Sequence, residues 1–198
     1  MNSPTNVNSP TNVNSLSIAL MHYPMYDREY KIVTTSVTNL DIHDIARLSR
    51  TYNLSDFWVV TPVKAQQELV KRIIQYWASD EGRIYNPHRH EALSLVRVVD
   101  DIESVVKCLE EREGKVPKLV ATDARPYPNM VNYDFVRDLV RAREPVVLVL
   151  GTGHGIAYEM IRKMDYFLAP IRPNGDFNHL SVRSAASILV DRIIGDSL

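Results

Sequence analysis

Hydrophobic and polar residues follow two periods that replace each other repeatedly from residue 16 onward. Short apolar or alternating runs predict strands at 16–24, 30–37, 56–62, 93–99, 117–124, 145–150 and 165–171. Runs with apolar residues three and four positions apart predict helices at 41–52, 63–79, 100–113, 132–143, 180–194 and, after a loop, within 151–163. Residues 81–91 are predicted as a polar loop. Alternating strands and helices indicate an α/β protein with a mainly parallel sheet flanked by helices, in one domain from 16 to 198.

Two predictions concern details of the helices. Asn39 or Asp41 is a suitable N-cap for the helix at 41–52, because a short polar side chain can accept from free backbone N–H groups. The helix at 63–79 is expected to point Leu69 and Trp77 toward the core.

The first fifteen residues differ from the rest of the chain. The hexamer Asn-Ser-Pro-Thr-Asn-Val occurs at 2–7 and again at 8–13, and the segment has no apolar periodicity. Such a composition buries too little apolar surface to offset the entropy lost on ordering. We therefore expect 1–15 to be a flexible leader.

Composition and charge exclude several classes of function. With 23 Lys and Arg against 24 Asp and Glu, the net charge is −1, so any contact with nucleic acid must come from a local patch. The one cysteine, Cys108, excludes an intramolecular disulfide and a cysteine-rich zinc site, and makes a reducing cytoplasm the expected compartment. No apolar stretch approaches the roughly 18 residues that span a bilayer.

A glycine cluster directly after the strand at 145–150 is the strongest candidate for a binding loop. Gly151, Gly153 and Gly155 are three of the seven glycines in the chain. No Lys-Ser/Thr pair follows, which excludes a Walker A loop, and Ile156 breaks the dinucleotide fingerprint. Parallel sheets bind ligands at the carboxyl ends of their strands, so the cluster predicts a ligand loop, with a merely tight turn as the alternative.

Two further stretches carry weaker signals. The helix start at Leu180, Ser181 and Ser184 is small, which permits close packing against a flat ligand or against another helix. The helix at 41–52 carries Arg47 three residues after Asp44, so Arg47 either serves a site or forms a solvated ion pair with Asp44.

Taken in order, these stretches resemble the SPOUT superfamily of S-adenosylmethionine-dependent RNA methyltransferases. Residues 39–62 are similar to the first motif, Leu-Val-Leu-Gly-Thr-Gly-His-Gly-Ile at 148–156 to the second, and 171–187 to the third. The resemblance covers 16–195. The family's second motif usually carries a glutamate between its glycines, whereas this chain has no acid there and His154 precedes the last glycine.

The resemblance implies a fold, a cofactor and a set of site residues. It implies a C-terminal trefoil knot (the α/β knot), a homodimer with active sites at the subunit interface, and metal-independent methyl transfer to tRNA or rRNA. Catalytic roles fall to Arg47 and Asp123. The implied cofactor-binding residues are Thr122, Leu150, Gly151, Gly153, His154, Gly155, Ile171, Pro173, Leu180, Ser181 and Ser184. The implied substrate-binding residues are Asn39, Arg50, Arg125 and Arg183.

Alternatives remain open at several of these positions. Asp123 and Arg125 follow a strand end and are expected on the cofactor side, but Asp123 can instead cap the next turn. His88 and His90 can be metal ligands or belong to a solvated loop, which with Arg89 is also a possible RNA contact. Two other functions compete with the enzyme: a catalytically inactive dimeric scaffold that binds RNA or protein, and an α/β enzyme whose glycine loop holds a phosphate.

Overall fold

The fold, seen here in a computed structural model that describes residues 14–128 and 130–195, alternates strands and helices as the sequence predicts. The strands are β1 (Leu16–Met21), β2 (Met25–Tyr26), β3 (Ile32–Val33), β4 (Phe57–Val60), β5 (Val96–Val99), β6 (Lys118–Ala121), β7 (Met130–Val131), β8 (Val146–Gly151) and β9 (Tyr166–Leu168). The helices are α1 (Asn39–Thr51), α2 (Lys64–Ala78), α3 (Asp80–Tyr85), α4 (Pro87–Leu93), α5 (Ile102–Glu113), α6 (Tyr133–Arg141), α7 (Tyr158–Ile161) and α8 (Val182–Ile194).

Seven strands form one sheet in the order β5-β4-β1-β8-β6-β9-β7, and every pairing in it is parallel. The two central strands, β1 and β8, are apolar and almost wholly buried. A strand covered by helices on both faces reads as a continuous apolar run, which is why 145–150 shows no alternation. The predicted mainly parallel sheet flanked by helices is confirmed.

Alternate residues of β1 point to opposite layers of helices. Leu16, Ile18 and Leu20 belong to a core shared with α1, α2, α4, α6 and α8. Ala19 and Met21 belong to a second core shared with α5 and α7. The side-chain period of two along a strand therefore divides the core into two apolar layers.

The direction of the crossovers reverses between β1 and β8. From β1 the chain moves outward to β4 and β5, then crosses to the other side and builds β6, β7, β8 and β9, which lie there in the order β8-β6-β9-β7. Ligands of open parallel sheets bind outside the carboxyl ends of the strands at such a switch point. Both β1 and β8 end beside the glycine cluster, since Met21 is paired with Gly151.

Residues 81–91 are not a loop, and that prediction is wrong. They lie in α3 and α4, which flank Asn86. The side chain of Asn86 caps α4 by accepting from the backbone N–H of Arg89 at 3.0 Å, and Pro87 occupies the first turn. A well-capped short helix needs little apolar periodicity when its end is anchored, as Ala92 and Leu93 anchor α4.

The segment 30–37 is also mostly not a strand. Only Ile32–Val33 pairs, with β2 in a separate antiparallel ribbon. Asp27 holds the turn between the two strands, since its carboxylate accepts from the N–H groups of Glu29 at 2.8 Å and Lys31 at 2.9 Å. The N-cap of α1 is Thr38, whose hydroxyl accepts from Asp41 N at 3.1 Å, rather than Asn39 or Asp41. Trp77 is buried as expected, but Leu69 is 45% exposed.

The first described residues are hydrogen-bonded to the fold. Asn14 N donates to Asn53 O at 2.9 Å, and Ser15 Oγ donates to Val140 O at 3.3 Å. The predicted leader otherwise falls on 1–13, which lie outside the described residues. Within the described part of the chain, none of the helices has the length and apolarity needed to cross a bilayer.

Candidate functional site

A cavity of about 610 Å³ lies at the carboxyl ends of β6, β8 and β9. Its walls come from segments far apart in sequence, namely 122–125 after β6, 150–156 after β8, 168–171 after β9 and the start of α8. Thr35, Thr38 and Asp41 close the side toward α1. The three loops meet because the parallel strands that precede them end at the same edge of the sheet.

The glycine loop needs glycine for two separate reasons. Gly153 and Gly155 have positive φ of 58° and 105°, which side chains rarely adopt. A Cβ at Gly155 would lie 2.6 Å from Nη2 of Arg125. Tyr26 clamps the loop, because its carbonyl accepts from His154 N at 3.0 Å and its N–H donates to Gly155 O at 2.9 Å. The backbone of this loop therefore forms a close-fitting wall of the cavity.

Asp123, Arg125 and Tyr127 form a polar cluster beside this loop. Arg125 Nη2 donates to Asp123 Oδ2 at 2.6 Å, and the Tyr127 hydroxyl donates to the same oxygen at 3.0 Å. Asp123 Oδ1 also accepts from Arg125 N at 2.9 Å, so Asp123 caps the turn and lines the cavity at once. Burial raises the pKa of Asp123, but the hydrogen bonds from Arg125 outweigh burial and lower it below 3.8. The cluster thus presents a charged carboxylate and a guanidinium at neutral pH.

A hydrogen-bonded chain of side chains runs from the cavity into the core. The hydroxyls of Thr35 and Thr152 lie 2.5 Å apart, and Nδ1 of the fully buried His22 lies 3.1 Å from Thr35 Oγ1. The Thr152 hydroxyl also lies 2.9 Å from Met21 O, and the Thr35 hydroxyl lies 3.4 Å from His22 O, so both threonines connect the cavity to backbone carbonyls next to the end of β1. Nε2 of His22 is buried and has no hydrogen-bond partner among the described residues. Burial lowers the pKa of His22 to about 4, although the charge of Asp41 opposes the shift.

Sequence reasoning missed Thr35, Thr152, Asp41 and His22. Thr152 lies between two glycines of the predicted loop, so its position was the one available signal. The other three residues come close to the glycine loop only through the sheet order and the path of the chain between β1 and α1.

Most predicted cofactor residues line this cavity, together with Asp123 and Arg125. The residues that do so are Thr122, Leu150, Gly151, Gly153, His154, Gly155, Ile171 and Leu180. Pro173, Ser181 and Ser184 do not line it. Ser181 instead caps α8 by accepting from Ser184 N at 3.2 Å, and the face of α8 toward the cavity presents Val182 and Ala185.

The predicted arginines of α1 lie elsewhere. Arg47 and Arg50 line a second cavity, of about 520 Å³, between α1 and α4. The expected alternative, an Asp44–Arg47 ion pair, is wrong, since Asp44 Oδ2 pairs with Arg183 Nε at 3.2 Å. Asn39 is exposed in the first turn of α1 and lines neither cavity.

The two histidines considered as metal ligands also separate. His90 Nδ1 lies 2.7 Å from Trp77 O, and His88 lines the cavity between α1 and α4. Across residues 14–128 and 130–195, no cluster of three His, Cys, Asp or Glu side chains has the arrangement of a metal site.

The cavity by the glycine loop has the chemistry that S-adenosylmethionine requires. Leu150, Ile156 and Ile171 offer apolar contacts for an adenine ring, and the hydroxyls of the cavity wall can bind ribose. Arg125 suits the carboxylate of the methionine part, and Asp123 suits its ammonium group. Once bound, the cofactor supplies an electrophilic methyl group on a positively charged sulfur.

Comparison with known proteins agrees with this assignment. A family model described as SAM-dependent RNA methyltransferase matches residues 15–195. An uncharacterized Aquifex aeolicus protein is 45% identical over 177 residues, covering 89% of this chain and 86% of that protein. A protein of Oleidesulfovibrio alaskensis, named tRNA (guanine-N(1)-)-methyltransferase, is 42% identical over 184 residues, 93% of this chain. The chain spans only 43% of that relative's length.

The fold also matches that of a structure solved with AdoMet bound. The SpoU methyltransferase AviRb from Streptomyces viridochromogenes, solved in complex with AdoMet, superposes with a TM-score of 0.58 at 18% identity over 93% of this chain and 58% of that one. This likeness concerns the fold, whereas the family model concerns nearly the whole sequence. From the match over 15–195 and the three loops that meet in one cavity, the chain belongs to the S-adenosylmethionine-dependent RNA methyltransferases.

Proposed function

We propose that this chain methylates tRNA, without a metal ion, at the cavity formed by the glycine loop. The observation that carries the proposal is the charged Asp123–Arg125 pair held against Gly155 in that cavity. The tRNA part is supported by the name of the Oleidesulfovibrio relative. The chain spans less than half of that relative. We therefore propose tRNA as the substrate class and make no proposal about which atom of the nucleotide is methylated.

The chemistry asks two things of the side chains. They must hold the nucleophile in line with the methyl group, and they must let the nucleophile lose a proton as the new bond forms. Asp123 stays ionised at neutral pH because the hydrogen bonds from Arg125 outweigh the effect of burial on its pKa, so its carboxylate can orient a donor on the substrate or cofactor. Neither task requires a metal ion.

We further propose a homodimer in which two subunits complete each active site. Within one chain, Arg47 lies six residues beyond Asp41 on α1, roughly 9 Å along the helix axis, and lines a different cavity. If Arg47 acts at the reacting group, as the family resemblance implies, a second subunit is the natural source. Exposed apolar side chains near the glycine loop, Tyr30, Ile32, Tyr158, Phe177 and Leu180, support a covered interface.

The trefoil knot and the cytoplasmic location belong to the same proposal. The knot is supported by the path of the chain, which places β9 beyond β6 and then returns α8 to pack on α1 and β8. The cytoplasm is where a tRNA substrate and a lone exposed thiol, Cys108, are both expected.

The test is methyl transfer from radiolabelled S-adenosylmethionine to RNA purified from cells that lack the gene. We expect label in the tRNA fraction, in the presence of EDTA, and mass spectrometry of its nucleosides then identifies the atom. Label in ribosomal RNA alone would overturn the tRNA assignment. Cofactor binding without transfer to any RNA would favour the inactive scaffold.

A further inference from the structure

The second cavity, between α1 and α4, is lined mainly by cationic and polar side chains. Its lining consists of Arg47, Arg50, Thr51, Asn86, His88, Arg89, Glu91 and Ala92. Glu91 is the one acid in that lining, and Arg50 already pairs with it at 3.2 Å. The cavity therefore keeps an excess of positive charge from Arg47 and Arg89.

Neither of these two arginines is neutralised by a nearby acid. Asp44 on α1 pairs with Arg183, and Asp80 on α3 pairs with Arg83. Within residues 14–128 and 130–195, no ion pair involves Arg47 or Arg89. Two arginines without a carboxylate partner keep their donors available for a phosphate from outside the chain.

Arg47 and Arg89 line the same cavity, one from α1 and the other from α4. Arg89 lies over the ring of Trp77, with its Cζ 5.2 Å from the ring centroid, which fixes its position. The ring of His43 packs edge-on against that of Trp77, with 5.7 Å between the ring centroids, and the charges of both arginines act on its pKa. Burial first, and then the charges of Arg89 and Arg47, lower the pKa of His43, although Asp44 opposes them.

Exposed aromatic and apolar side chains directly precede Asn86, which lines this cavity. Tyr85 is 76% exposed and Ile84 is 81% exposed, both at the end of α3. The Tyr85 ring lies 6.3 Å from that of Trp77, over which Arg89 is held. Proteins bind single-stranded nucleic acid with this combination, where cations hold the backbone and an exposed ring stacks on a base.

We propose that the α1–α4 cavity binds a phosphodiester of single-stranded RNA, with Arg47 and Arg89 on the phosphate and Tyr85 stacked on a neighbouring base. The inference rests on the proposed function, because it names a surface of the chain that binds the same RNA substrate. Helix α1 joins the two sites: Asp41 lines the cofactor cavity and Arg50 lines this one, roughly 13 Å further along the axis.

The experiment measures binding of fluorescein-labelled oligouridylate by the full chain over a range of salt concentrations. Arg89→Gln should weaken binding about tenfold, as the loss of a charge-assisted contact does. It should also reduce the slope of log K against log salt by about 0.7, the value for one phosphate contact to a single strand. Arg89→Lys should keep the slope, and Tyr85→Ala should weaken binding while leaving the slope unchanged.

The matched control is Arg141→Gln, an exposed arginine on α6 that lines neither cavity. It should bind RNA like the native chain, and all variants should bind S-adenosylmethionine like the native chain, which shows that they are folded. Equal losses for Arg89→Gln and Arg141→Gln would overturn the site while leaving methyl transfer intact. Absence of methyl transfer by the native chain would instead count against the proposed function.

Two competitors separate the sources of the anion. Uridine monophosphate should displace the oligonucleotide only weakly, because it lacks the neighbouring base. Displacement at equal concentration would make this a free-nucleotide site and overturn the RNA assignment. Polyglutamate that binds as tightly as oligouridylate would identify an acidic protein surface as the partner and overturn it too.

Discussion

Arg183 Nη1 donates to Oδ1 of Asp41 at 2.8 Å, which joins the start of α8 to the start of α1 beside the cofactor cavity. Asp41 is 6% exposed and also accepts from the hydroxyl of Thr38 at 2.6 Å. The same guanidinium reaches Asp44. A residue that sequence resemblance assigns to substrate thus holds together two helices that carry walls of the site.

Replacing Arg183 with Met is expected to destabilise the fold. The buried carboxylate of Asp41 would keep one hydrogen bond but lose its cation, and we expect the free energy of unfolding to fall by about 1–3 kcal/mol. Urea denaturation measures the change. Arg141→Met, at an exposed site with a carboxylate 4.0 Å away, should alter it by less than about 0.5 kcal/mol. Equal losses of unfolding free energy in the two variants would mean that Arg183 stabilises the fold no more than an exposed arginine does.

Replacing Gly155 with Ala is expected to weaken S-adenosylmethionine binding by about tenfold or more. The added Cβ would displace Arg125 from its place beside Asp123, and the φ of 105° would be strained at a cost of about 1–2 kcal/mol. Calorimetry gives the affinity. Gly175→Ala is the matched control, because a Cβ there meets nothing within 4 Å and the backbone needs no positive φ. Native affinity in Gly155→Ala would show that the loop does not border the cofactor.

His22 should make the fold less stable in mild acid. Its pKa is about 4 in the folded chain and 6.5 in the unfolded one, so the unfolded state takes up a proton first as the pH falls. The stabilisation is complete above pH 6.5 and is lost toward pH 4, with a slope of about 1.4 kcal/mol per pH unit inside this window. Urea denaturation at several pH values should show a flatter profile in His22→Asn. An identical slope in both proteins would mean that folding does not lower the pKa of His22.

Arg47→Ala should leave cofactor affinity nearly unchanged, because Arg47 does not line the cofactor cavity. If a second subunit brings it to the reacting group, methyl transfer to tRNA should fall by about 10²-fold. Lys should rescue poorly, since it lacks the planar fork of donors. The assay measures turnover under saturating cofactor. Native turnover in Arg47→Ala would mean that Arg47 has no catalytic role and only binds RNA or faces solvent.

The chain should be a homodimer in dilute solution. Light scattering at micromolar concentration measures the mass, which should be twice the 22.6 kDa of one chain. A monomeric mass would remove the shared active site and with it the proposed route for Arg47.

Much of the architecture follows from local patterns. The apolar run at 145–150 requires a strand covered on both faces, and the alternation of strands and helices requires a parallel sheet. The glycine loop is predictable for the same reason, since Gly151, Gly153 and Gly155 come directly after that apolar run. These signals depend only on neighbours in the chain.

Local patterns failed where the deciding contact came from far away. Residues 30–37 have the composition of a strand, yet only Ile32–Val33 pairs, with β2 and outside the main sheet. Residues 81–91 were too polar to show periodicity, although Asn86 before Pro87 was a helix-start signal. The small size of Ser181 suggests a place in the site, but its hydroxyl caps α8 by accepting from the backbone N–H of Ser184.

The sequence alone determined the fold class, the binding loop and the resemblance to a methyltransferase, because each depends on the spacing of residues that are close together in the chain. Only the tertiary structure decided that Arg183 holds Asp41, that Thr35 meets Thr152, and that Arg47 and Arg89 line one second cavity. The first two pairs are 142 and 117 residues apart in the chain, and their meeting depends on strand order and crossover direction, which no local period encodes.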